Sequence, residues 1–77
     1  MKKISLVQMK TAQKGKVAEV AGGKGLENRL MSMNVYQGKE ITMLSHSVLR
    51  GPVTIKVGSS VIALGHGMAG KIIVQVE

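Results

Sequence analysis

The stretch LENRLMSMNVYQGKEI, residues 26–41, changes its hydrophobic period halfway along. Leu26, Leu30 and Met33 fall at i, i+4 and i+7, the spacing of one buried helix face, which predicts a short helix over residues 25–33. Gly25 is an acceptable N-cap for it. Asn34 stands where a helix commonly ends on a residue in the left-handed conformation, and Asn is the usual choice there after Gly. Tyr36-Gln37-Gly38 then reads as a turn, and residues 39–44 alternate as a strand does, with Ile41 and Met43 on one face.

Outward from this stretch the chain is strand-rich. Residues 4–9 form an apolar opening, suited to an edge strand or a packed arm. Lys14-Gly15-Lys16 reads as a turn, residues 17–21 as the first core strand, and Gly22-Gly23-Lys24-Gly25 as the break before the helix. Residues 45–52 read as a polar loop interrupted by Val48 and Leu49. Val53-Thr54-Ile55-Lys56-Val57 alternates strictly, with three β-branched residues on one face. Gly58-Ser59-Ser60 turns the chain into a strand over 61–64, and after a turn over 65–70 a last strand places Ile72, Val74 and Val76 together. Five or so short strands with one helix after the first core strand remove their exposed edges most simply by closing into a small barrel. The fold class expected is therefore mainly β, a small barrel whose open end the helix plugs with Leu26, Leu30 and Met33.

With 77 residues there is room for one domain, 1–77, and a compact core. The hydrophobic fraction of 44% is too high for a disordered chain. No apolar run approaches the roughly 18 residues of a membrane span, and Met1-Lys2-Lys3 is not followed by a signal-peptide core. There is no Cys, hence neither a disulfide frame nor a thiolate metal site, and a cytoplasmic location is expected. The net charge of +7 favours an acidic partner, nucleic acid or anionic lipid, or serves solubility alone. Tyr36 is the single aromatic residue, so the stacking platform of single-strand binders is missing and nucleic acid is disfavoured. Met31, Met33 and Met43 read as adaptable core filler.

Few motifs carry chemistry. Gly65-His66-Gly67-Met68-Ala69-Gly70 matches G-x-G-x-x-G, but a dinucleotide site needs a helix opening there and an acidic residue about 20 positions on. Only Lys71 to Glu77 follow, and they read as a strand, so the glycines are assigned to a turn. Gly22-Gly23-Lys24-Gly25 before a helix has the look of a phosphate cradle, yet no Ser or Thr follows the Lys, and a flexible strand-to-helix turn is the better reading. His46 and His66 are the only imidazoles and lie in expected loops. They are weak candidates for a divalent metal site, without the matched ligand spacing that catalytic zinc requires. With no Asp, no Cys and no Ser in a nucleophile elbow, nothing points to an enzyme and no cofactor is implied.

RLMSMNVYQGKEI resembles the signature of the ferrous iron transport protein A (FeoA) family through Arg29-Leu30, Met33, Val35, Gly38 and Ile41. GKVAEVAGG is similar to that family's first core strand and glycine turn, GPVTIKVGSSVIAL to its paired later strands, and AGKIIVQV to its closing strand. Three positions depart from the pattern: Asn34 for the usual Gly, Gln37 for the usual Pro, and Gly65 where a basic residue often follows Ala-Leu. The resemblance implies an SH3-like β-barrel with one helical insertion. It also implies a cytoplasmic accessory of ferrous iron uptake that acts on FeoB, the membrane transporter with a GTP-binding cytosolic domain. Barrels of this kind also occur within iron-dependent repressors, which keeps a regulator-type interaction domain open.

On that reading the 45–52 loop is the expected contact, through Val48, Leu49 and Arg50, although Val48 and Leu49 also suit a role capping the core. A basic nucleic-acid barrel and a divalent-metal-binding protein using His46 and His66 are the competing expectations. Weak self-association is compatible with exposed apolar loops on so small a barrel.

Overall fold

The computed structural model describes residues 1–46 and 51–77. Six strands, β1 (Lys2–Ser5), β2 (Lys14–Val20), β3 (Glu40–His46), β4 (Val53–Val57), β5 (Ser60–Leu64) and β6 (Ile72–Val76), form one sheet in the order β1-β6-β2-β3-β4-β5. All pairings are antiparallel. Helix α1 (Lys24–Met31) follows β2, a one-turn helix α2 (His66–Ala69) precedes β6, and a 3-10 turn (Leu6–Gln8) follows β1. The architecture is the SH3-like barrel with a helical insertion. Its ends do not join: β1 and β5 stand at opposite edges of the sheet, with no ladder between them.

The alternating sequences fill one core. Val53, Ile55 and Val57 from β4, Ile72, Val74 and Val76 from β6, and Ile41 and Met43 from β3 are all buried. Strict period-2 patterning turns each of these sets to the same side of the sheet. Leu30 of α1 is fully buried among them, and Leu26 and Met33 pack half-buried beside it. Burying a Leu side chain contributes roughly 2 kcal/mol, so Leu30 is the main anchor of a helix too short to persist alone. Gly23 caps the helix at φ 90°, a conformation that L side chains rarely adopt, and its carbonyl accepts the first helical bond, from Glu27 N at 3.1 Å.

At its C-terminus α1 closes in a Schellman arrangement. Val35 N donates to Leu30 O and Asn34 N to Met31 O, both at 2.9 Å, with Asn34 at φ 66°. The expected left-handed role of Asn34 is what the backbone shows. The helix itself starts and ends slightly earlier than the spacing of apolar residues suggests, because Met33 reaches the core from the closing turn.

Four sequence expectations need correction. Lys14-Gly15-Lys16 is strand, not turn: Gly15 lies where β6 crosses β2 so closely that no side chain fits. The strand read over residues 39–44 runs on to His46, because a bulge between Met43 and Ser45 breaks the alternation without ending the ladder. His46 is therefore a strand residue. Residues 65–70 contain helix α2, so His66 is helical and the chain has a second helix, of one turn. The glycine motif still lacks its βαβ setting, since β6 runs between β1 and β2, away from β5. Finally, Met43 is buried and Met33 half-buried as core filler should be, but Met31 is 50% exposed.

Candidate interaction surface

The register of the central strands places a basic row on the outer face of the sheet. Lys14 of β2 lies opposite Thr42 of β3, and Thr42 lies opposite Lys56 of β4. Since neighbouring strands are about 4.8 Å apart, the two lysines stand about 10 Å apart across the row. A third cation, Lys39, enters from the turn before β3, with its Nζ 5.9 Å from the centre of the Tyr36 ring. That separation is within cation–π range.

Backbone bonds fix this corner. Lys39 N donates to Tyr36 O at 3.0 Å, closing the turn around Gly38 at φ 92°. Gly38 N donates to Val17 O at 2.8 Å and Val17 N to Lys39 O at 2.9 Å, which clamps the turn onto β2. Buried Val35 anchors the chain immediately before Tyr36. The lone aromatic ring, 39% exposed, is thus held on a rigid frame while staying accessible.

Tyr36 lines two shallow grooves. On one side it meets Lys14, Lys39, Thr42 and Lys56, with Glu40 the single acid among them. On the other it meets Glu19 of β2, Glu27 of α1 and the exposed Met31. The surface is therefore bipolar, with an aromatic and a thioether side chain between a basic and an acidic flank. Apolar anchors surrounded by charge of both signs are the make-up of a protein-recognition surface.

Among the described residues no polar or charged residue is buried. Nor do three or more His, Asp or Glu side chains gather into a metal-binding group among the described residues.

His46, at the end of β3, uses Nε2 to donate to the Met9 carbonyl, tying β3 to the segment after the 3-10 turn. A carbonyl oxygen only accepts, so the hydrogen of that bond is carried by Nε2. His66 opens α2 and is half-buried. Val48, Leu49 and Arg50, the expected contact residues, lie outside the described residues. The Tyr36 corner was not expected from the sequence. Its cue was present in Tyr36 and Lys39 flanking a turn, but bringing Lys14 and Lys56 to it depends on strand register.

Comparisons with known proteins agree on the family. The model of the FeoA domain matches residues 4–76. A crystal structure of an iron uptake regulatory protein (FeoA) has a TM-score of 0.86 at 32% identity, covering 97% of each chain. The FeoA-like protein from Clostridium acetobutylicum has a TM-score of 0.84 at 22% identity, over 99% of this chain and 88% of that one. A manganese-dependent transcriptional repressor in complex with manganese shares the fold, with a TM-score of 0.88 at 16% identity. This chain spans 38% of that repressor. None of the curated proteins matches this chain. No helix among the described residues is long and apolar enough to cross a membrane. The chain belongs to the FeoA domain family.

Proposed function

We propose that this protein is a non-catalytic accessory of ferrous iron uptake that works in the cytoplasm by docking on the cytosolic part of the FeoB transporter. Family membership supports the link to ferrous iron transport. The observation that carries the docking mode is the clamped Tyr36 corner, with Lys14, Lys39 and Lys56 on one flank and Glu19 and Glu27 on the other. Charges arranged in this way set orientation and encounter rate, while the half-exposed Tyr36 and Met31 supply apolar contact. The complementary surface on the partner is acidic opposite the Lys row and basic opposite the Glu pair.

The test is a titration of this protein against full-length FeoB and, separately, its cytosolic domain, with a DNA duplex as control. Each is run at low and at physiological salt. Saturable FeoB binding that survives physiological salt is expected, with duplex binding that fades as counterions compete. Salt-resistant duplex binding without a FeoB signal overturns the proposal in favour of a basic nucleic-acid barrel.

A further inference from the structure

The sheet ends on one side at β1 and on the other at β5, and the two edges differ in composition. Edge strands expose unpaired backbone groups, and proteins commonly blunt them with Lys. β1 carries Lys2 and Lys3 in this way. β5 reads Ser-Val-Ile-Ala-Leu, and no charge occurs anywhere from Val57 to Leu64. Among the described residues, the backbone bonds outside the ladders include none from β5. Val61 is 63% exposed, Ala63 is exposed, and Ile62 is only half-buried.

The hairpin register fixes which backbone groups are free. Val57 and Ser60 close the two-residue turn as a hydrogen-bonded pair, so Lys56–Val61 and Thr54–Ala63 are the non-bonded pairs that alternate with it. The N–H and C=O groups of Val61 and Ala63 accordingly point away from β4, toward the open edge.

We propose that β5 is a self-association edge, its occupant the β5 strand of a second copy of this chain, antiparallel about a twofold axis at Ile62. In that register Val61 of one copy faces Ala63 of its partner as a hydrogen-bonded pair, and the reciprocal pair does the same. Four backbone bonds form between the two edges. Ile62 meets its own symmetry mate on the half-buried side, and Val61 meets Ala63 on the outer side.

Charge selects this occupant. Each copy carries +7, so two copies repel wherever their lysines face each other. Pairing through β1 sets Lys2 and Lys3 of one copy near those of the other. Among the described residues, pairing through β5 places no charge in the seam. On the paired strands β4 and β5, the like charges are the two Lys56 residues, three strand spacings and two residues apart, about 16 Å. That exceeds the roughly 8 Å screening length at physiological salt. An edge of five residues per copy buries less than the ~1,200 Å² of a stable interface, so the dimer is weak and populated at about 0.1 mM protein.

Sedimentation equilibrium of the full chain at about 0.05 M and about 0.5 M salt tests this. The dimer is expected to tighten at least about threefold at the higher salt, as the repulsion between the copies is screened. Ala63→Pro removes a donor that serves no backbone bond among the described residues, and Val61→Lys puts charge on an exposed edge position. Each is expected to weaken the dimer at least about tenfold while keeping the wild-type melting transition. If Ala63→Pro lowers the melting temperature, Val61→Lys decides. A chain that stays monomeric at both salts to about 1 mM overturns the proposal. So does a dimer that the folded edge variants leave intact, or one that salt weakens.

Discussion

Gly15 of β2 lies against Val74 of β6 so closely that a Cβ built on Gly15 comes within 2.5 Å of Val74 Cγ1 and 2.9 Å of the Gln75 carbonyl oxygen. The contact lets β2 serve both halves of the barrel, pairing with β6 and with β3. Gly15→Ala is therefore expected to lower stability by about 2–3 kcal/mol, since the backbone at Gln75 cannot move aside as a flexible side chain would. Urea denaturation reads the loss as a lower midpoint at an unchanged m-value. A change below about 0.5 kcal/mol contradicts the close approach.

Asn34 closes α1 at φ 66°. Asn34→Ala is expected to cost about 1 kcal/mol, the penalty of a Cβ without a local polar partner in that conformation. Asn34→Gly is expected to be stabilising or neutral. Thermal melts of the two variants check the order, and an Ala variant as stable as the Gly one contradicts it.

The turn from Tyr36 to Lys39 has its positive φ at Gly38, the third of its four residues, as in a type II turn. Gln37 precedes it, where Pro pre-sets the backbone, and among the described residues Gln37 N makes no backbone bond. Gln37→Pro is expected to add about 0.4–1 kcal/mol by narrowing the unfolded ensemble. A destabilised variant in denaturant titration shows that the turn is of another type.

The His46 Nε2 bond to the Met9 carbonyl ties β3 to the first segment of the chain. His46→Ala is expected to cost about 1 kcal/mol. The same loss is expected with a chelator present, because the ring's partner is backbone and not a cation. A loss seen only when divalent cations are added assigns His46 to a metal instead.

Val53–Val57, Ile72–Val76 and α1 were legible because each shows a clean period against one core. Where strand sequence carries a glycine for packing, as at Gly15, the same residue reads as a turn. Where a bulge shifts the register, as between Met43 and Ser45, the alternation fails while the strand continues, so His46 has the local sequence of a loop residue. α2 spans the second to fifth residues of G-x-G-x-x-G, and the three glycines of that motif give the segment the composition of a turn, so α2 was hidden. The row of Lys14, Thr42 and Lys56 depends on two long-range pairings that no local window contains. Val48, Leu49 and Arg50 fall outside the described residues, and the contact surface we propose is the Tyr36 corner.

The most direct test of that surface compares wild type with Lys39→Glu/Lys56→Glu for binding to the FeoB cytosolic domain at physiological salt, with melting curves confirming the fold of both. The account predicts an affinity at least about tenfold weaker for the variant, because each reversal turns an attraction into a repulsion at a desolvated contact. Equal affinity in a folded variant contradicts it and moves the contact away from the Tyr36 corner.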